Sequence, residues 1–236
     1  MGVIERLNTK REELEERLSN LYHGGSQRRE TLQYRIKKID DLTDAYQATS
    51  FPVNLSEAEE ILNQQVGFKE QKRRILESLE VAEFRERRGV QKDPLILCLI
   101  GPTGSGKTTF VQILAQALKK KFFSIALGGL SDASVLVGTS ENSSGTEIGQ
   151  LAKSLAETKA RDPLILIDEI DKAGSSFKTS IHDCLVNVLD PVQNQEILDH
   201  YLDVKLDFSQ VTFIVTANDP KKIPDYLLSR MYHPPK

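Results

Sequence analysis

Tryptophan is absent from this chain of 236 residues, and methionine and cysteine occur twice each. Aromatic residues make up only 6% of it, so the interior has to be built from aliphatic side chains. Two cysteines are too few for a disulfide-stapled scaffold. Cys98 falls in an apolar strand and Cys184 in a helix, which predicts reduced, buried thiols and a cytoplasmic protein. Neither carries the His pattern of a catalytic cysteine. No apolar run approaches the ~20 residues of a membrane helix, so no membrane partner is expected. The N-terminal stretch MGVIERLNTKREELEERL mixes acids and bases and predicts neither a signal nor a transit peptide. With a net charge of −3 there is no bulk electrostatic pull toward nucleic acid.

What remains is an ordinary globular composition, 39% hydrophobic and 28% charged, long enough for one large domain and an appendage. Residues 3–48 read as a helical hairpin. Ile4, Leu7, Leu14, Leu18 and Leu21 repeat at coiled-coil spacing, with Arg11 in one seam position. A break at 23–26 follows, and Leu32, Ile36, Ile39, Thr43 and Tyr46 resume the stripe. Such a hairpin serves either as a structural element whose arms pack on each other or as an oligomerisation or partner arm. Residues 49–52 read as a linker, which divides the chain into a hairpin region, 1–53, and a domain, 54–236. Asn54 or Ser56 caps a helix over 56–64, and a second amphipathic helix spans 68–88. From 94 onward apolar strands (95–100, 122–127, 164–168, 211–216) alternate with helices (107–120, 148–159, 179–189, 225–230). That alternation predicts an α/β fold with a mostly parallel sheet flanked by helices.

The organising motif is GPTGSGKTT: Gly101, Pro102, Thr103, Gly104, Ser105, Gly106, Lys107, Thr108 and Thr109. It follows a strand, opens a helix and meets the spacing G-x-x-x-x-G-K-T. Glycines at 101, 104 and 106 let successive N–H groups turn inward toward phosphate oxygens, and the helix adds its positive end. Lys107 reaches the β- and γ-phosphates, and the Thr108 hydroxyl can ligate Mg²⁺. The buried strand Leu164-Ile-Leu-Ile-Asp168-Glu169 ends in two acids. Beyond a strand's carboxyl end, Asp168 meets that Mg²⁺ and Glu169 is placed to activate water. Asn218 follows another buried strand and holds the same water or simply forms a turn. Arg230, on a short late helix, is either a surface residue or a finger onto a neighbouring subunit's γ-phosphate.

This order of elements resembles an AAA+ ATPase, a P-loop NTPase core. DEIDKAGS at 168–175, VLDPVQN at 188–194, DHYLDV at 199–204 and IPDYLLSRM at 223–231 resemble the ATPase module of the Lon family of ATP-dependent proteases over roughly residues 54–232. The resemblance implies ATP and Mg²⁺ as cofactors, with residues 101–109 on the phosphates and Asp168 on the metal. It implies Glu169 as catalytic acid, Asn218 as sensor and Arg230 as arginine finger. It also places Val66 and Gly67, where Tyr is usual at 66, against adenine. A homohexameric ring and a protein substrate are the implied partners. In the pore loop, Ser143 and Ser144 stand where the family has an aromatic–aliphatic pair. Such small polar residues give little grip on a polypeptide, unless another loop near Phe177 supplies it. That departure keeps open a second reading, a nucleotide switch or scaffold that binds a protein partner without threading it. The family's helical lid and Ser–Lys protease domain are expected beyond Lys236 or not at all, and no residue of this chain is assigned to that dyad.

Overall fold

The computed structural model describes residues 2–21, 26–89, 94–140, 147–174 and 180–231. Ser143, Ser144 and Phe177 lie outside them. Two long helices come first, α1 (Val3–Ser19) and α2 (Ser26–Gln47), then α3 (Leu55–Gln64) and α4 (Lys69–Arg87). Asn54 caps α3, its side chain accepting from the Glu57 N–H at 3.2 Å. The α/β unit then runs β1 (Ile96–Ile100), α5 (Lys107–Ala117), β2 (Phe122–Ala126), α6 (Ser134–Val137), α7 (Gln150–Thr158) and β3 (Leu164–Asp168). It continues through α8 (Ile181–Val188), β4 (Ile197–Asp199), β5 (Val204–Leu206), β6 (Thr212–Ala217) and α9 (Asp225–Met231).

Among the described residues the main sheet orders its strands β1-β6-β3-β2, every pair parallel. Helices cover both faces, so the two central strands, β3 and β6, are buried along almost their whole length. The period of two sorts their side chains. Ile165 and Ile167 of β3, with Phe213 and Val215 of β6, join the core under α7 and α8. Leu164 and Leu166, with Ile214, join the core under α3 and α5 beside Phe110, Val111 and Leu114. Asp168 and Thr216 continue this second alternation and so face the α5 side.

The hairpin does more than fold on itself. Leu7, Leu14, Leu32, Ile39, Leu42 and Ala45 share one continuous apolar core with α7, α8 and the sheet. Polar ties add to it. The Tyr46 hydroxyl bonds both the carbonyl and the N–H of Asp207 at 2.9 Å, Lys10 pairs with Asp203 at 3.0 Å, and Arg6 donates to the Lys205 carbonyl. The buried row of α2 is Leu32, Arg35, Ile39, Leu42 and Ala45, which keeps Leu32 and Ile39 of the expected stripe, while Ile36 and Tyr46 are partly buried against the same core. The reason is that α2 meets two partners, α1 and α7, and its stripe is a compromise between them. On α1, Lys10 is buried, while Arg11 lies toward solvent, paired with Asp40 at 2.7 Å.

A short antiparallel hairpin, β4–β5, was not anticipated from the sequence. Its turn is anchored by Asp199, a buried carboxylate that accepts from the Gly149 N–H at 2.9 Å and the Leu202 N–H at 2.8 Å. Burial raises this acid to about 6, against the pull of those bonds. Burial likewise pushes the Cys98 thiol up to about 12 and Cys184 up to about 11, as inert, partly enclosed thiols should behave.

Candidate functional site

β1 ends at Ile100, and the Gly101 N–H donates to the Ala217 carbonyl at 3.1 Å, which starts the phosphate loop at the carboxyl edge of the sheet. Gly104 and Gly106 adopt φ of 79° and 83°, left-handed values that side chains resist. Gly106 is also the N-cap of α5. Thr108 and Thr109 are exposed on the first turn of that helix. The Lys107 ammonium donates to the Gly101 carbonyl at 2.7 Å, the Pro102 carbonyl at 3.1 Å and Asn218 Oδ1 at 3.1 Å. Two residues 111 positions apart are thereby in contact, the loop's lysine and the amide at the end of β6.

The acid pair sits on the next strand but one. The Thr216 hydroxyl donates to Asp168 Oδ1 and accepts from the Glu169 N–H at 3.1 Å. Glu169 itself is at φ 59°, ψ 46°, a left-handed conformation that turns the chain out of β3 into a short 3₁₀ turn at 170–172. Its carboxylate pairs with Lys172, which raises the lysine's pKa. Its other oxygen lies only 2.6 Å from where a Cβ on Gly128 would stand. Asp171, 8% exposed, accepts from the backbone N–H groups of Asn218 at 3.1 Å and Asp219 at 3.2 Å. It therefore holds the turn that carries Asn218.

The predicted residues are brought together unequally. Lys107 and Asn218 touch, and Asp168 and Glu169 share Thr216. Val66, 91% exposed, and Gly67, at φ 89°, lie between α3 and α4. The following Phe68 stacks on Phe110 of α5 at 4.4 Å and 13°, which tethers this segment to the helix of the phosphate loop. Arg230 is engaged elsewhere, its guanidinium paired with Asp190. The other oxygen of Asp190 accepts from Val192 and Gln193 N–H groups. Sequence reading passed over Thr216, Asp171, Lys172 and Gly128. The available signals were a hydroxyl residue inside an apolar strand and a third acid in the string DEIDK.

Among the described residues no group of three or more His, Cys, Asp or Glu side chains is gathered as a metal cage. The two residues read as metal donors, Thr108 and Asp168, would offer one hydroxyl and one carboxylate. That sparse, hard donor set fits Mg²⁺, which binds through one or two protein oxygens together with substrate phosphates.

A glycine-rich loop at a helix N-terminus, between parallel strands whose adjacent ends carry an acid pair and an asparagine, defines a P-loop nucleotide triphosphatase. The profile of the ATPase family associated with various cellular activities (AAA) matches residues 97–233, and the chain belongs to that family. Lon protease of Chlamydia trachomatis serovar D is 42% identical over 179 residues, covering 75% of this chain and 21% of that protein. Lon protease of Finegoldia magna is 41% identical over 180 residues, 76% of this chain and 23% of the relative. The human mitochondrial Lon protease homolog is 38% identical over 180 residues, 76% and 18% respectively. The chain is thus an ATPase module of the Lon type, and it spans about a fifth of the length of these relatives.

Proposed function

We propose that this chain is the motor of a Lon-like ATP-dependent serine protease of the cytoplasm, hydrolysing ATP in a homohexameric ring to unfold protein substrates for degradation. The observation that carries the reading is the convergence of Lys107, Asn218, Asp168 and Glu169 at the carboxyl ends of β1, β6 and β3, linked through Thr216 and Asp171. In this reading the loop amides of residues 101–109 and Lys107 hold the triphosphate, and Val66 and Gly67 lie along adenine. Thr108 and Asp168 would hold Mg²⁺, which would supply positive charge at the phosphates when bound. Glu169 takes the proton of the attacking water and Asn218 orients it, so water cleaves the β–γ bond with no phosphoenzyme.

Arg230 acts on the neighbouring subunit's γ-phosphate, where such a finger is worth ~10³–10⁵ in rate. The Arg230 side chain is 37% exposed and that of Asp190 12%, and Asp190 also accepts from the Val192 and Gln193 N–H groups, so it keeps hydrogen-bond partners when Arg230 swings away. Glu169→Gln keeps the shape and hydrogen bonding of the site but removes the base. It is expected to leave ATP binding intact and to lower turnover by at least about 100-fold. Turnover near wild type in that variant sinks the catalytic assignment.

Ser143 and Ser144 favour a second reading, a nucleotide switch or scaffold that binds a protein partner without pulling it. The intact mass of the native gene product separates the two. A product far larger than 26.5 kDa supports the protease motor, and one close to it supports the switch.

A further inference from the structure

Thr216 is a fully buried hydroxyl near the end of β6, set between the apolar run Phe213, Ile214 and Val215 and Ala217, with Thr212 the strand's other hydroxyl residue. Burying a hydroxyl without partners costs about 1–3 kcal/mol, so its two bonds are the reason it is tolerated there. Both go to the acid pair. Leu99 of β1 is its neighbour on one side. On the other, the register of β6 on β3 ends at Ile167 opposite Val215, and the next pair would be Asp168 and Thr216. The sheet ladder stops there because Glu169 turns away into the left-handed region, which costs a non-glycine residue about 1–2 kcal/mol. The Glu169 N–H has left the ladder, and the Thr216 hydroxyl accepts from it at 3.1 Å. The same hydroxyl gives its single proton to Asp168 Oδ1 and leaves Oδ2 to other partners.

We propose that Thr216 is a positioning residue for ATP hydrolysis. One hydroxyl oxygen sets the rotamer of Asp168, hence the oxygen offered to Mg²⁺, and holds the backbone kink that aims Glu169. The inference rests on the roles given above to those two acids.

The test compares Thr216→Val, which keeps the shape and removes both bonds, with Thr216→Ser, which keeps the hydroxyl, in the full chain. Thr216→Ala stands in should the valine variant not fold by circular dichroism. Two quantities are read: steady-state kcat and KM for ATP, and the Mg²⁺ concentration that half-maximally strengthens binding of a fluorescent ADP analogue. Thr216→Val is expected to lower kcat about 10- to 100-fold with KM little changed. It should also raise the Mg²⁺ midpoint several-fold, while metal-free ADP binding stays the same. Thr216→Ser should return both quantities to near wild type. A valine (or alanine) variant with wild-type kcat and Mg²⁺ midpoint overturns the proposal, as does a serine variant as impaired as valine, which would mean the methyl packing matters instead. Glu169→Gln is run alongside. If it retains turnover, the wider catalytic reading has failed; if only the Thr216 variants disagree, this inference alone has failed.

Discussion

Gly128 offers a way to move the proposed catalytic carboxylate without touching it. A Cβ built on Gly128 would stand 2.6 Å from Glu169 Oε2 and 3.7 Å from its Cδ, with nothing else within 4 Å among the described residues beyond its chain neighbours. Ordinary contact begins near 3.4 Å, so in Gly128→Ala the oxygen has to retreat by about 0.8 Å, the difference between those two distances. The obstacle is the far end of a rotatable side chain rather than backbone, and Gly128 is not among the glycines at positive φ. The fold therefore loses little. Stability is expected to stay within about 1 kcal/mol of wild type, since alanine also restricts the unfolded chain. Catalysis is another matter, because a displacement near 1 Å at a reacting group costs on the order of 100-fold. Gly128→Ala should lower kcat by about 10- to 100-fold at nearly unchanged KM, because residues 101–109, proposed to hold the nucleotide, are not involved. Steady-state ATP hydrolysis and urea unfolding of the same preparation give both numbers. Unchanged kcat would refute the reasoning and mean that Glu169 acts from another rotamer. A large loss of stability would refute it differently, by showing that the crowding is borne by the backbone.

Two further outcomes concern the scaffold. In Gly149→Ala the new Cβ would meet the Leu136 carbonyl oxygen at 2.4 Å and the Gly138 nitrogen at 2.6 Å, both backbone, so the neck of the 138–149 segment cannot yield. A loss of about 3 kcal/mol or more is expected by chemical denaturation, and a variant as stable as wild type would contradict the close backbone approach. Asp199, raised to about 6 by burial, binds its proton more tightly folded than unfolded. Its contribution therefore falls as pH rises from about 4 to about 6 and is flat above, a span of about 3 kcal/mol at most. Asp199→Asn abolishes this dependence while leaving one N–H of Gly149 or Leu202 facing an amide. The stability advantage of wild type over this variant should thus shrink between pH 4 and pH 7, and a gap that does not change with pH would show that Asp199 does not titrate there.

The phosphate loop, the acid pair and the strands that carry them were legible in the amino-acid sequence because each is contiguous. Glycines at 101, 104 and 106 free the backbone for the loop, the apolar run from Leu164 to Ile167 ahead of two acids reads as a buried strand, and of the two cap candidates, Asn54 and Ser56, Asn54 caps the helix. Family-specific strings such as DEIDK then pointed to the Lon-type module, which the similarity to known proteins bears out. The β4–β5 hairpin escaped because three-residue strands are too short to show a period. The stripe on α2 was read too narrow, missing Arg35, Leu42 and Ala45, because periodicity measures one face and α2 packs on two neighbours.

The partnerships across the site belonged to the tertiary structure alone. Thr216 meets Asp168 across 48 positions, Asp171 meets Asn218 across 47 and Lys107 meets Asn218 across 111. None of these pairs has a signature in either local stretch. They exist only once β6 lies in register between β1 and β3, when the ends of separately legible strands are held within a hydrogen bond of each other. Local sequence sets backbone preference and which face is apolar. Sheet pairing decides which polar groups at the strand ends share an oxygen or a proton, and that sharing is what turns a list of motif residues into a site.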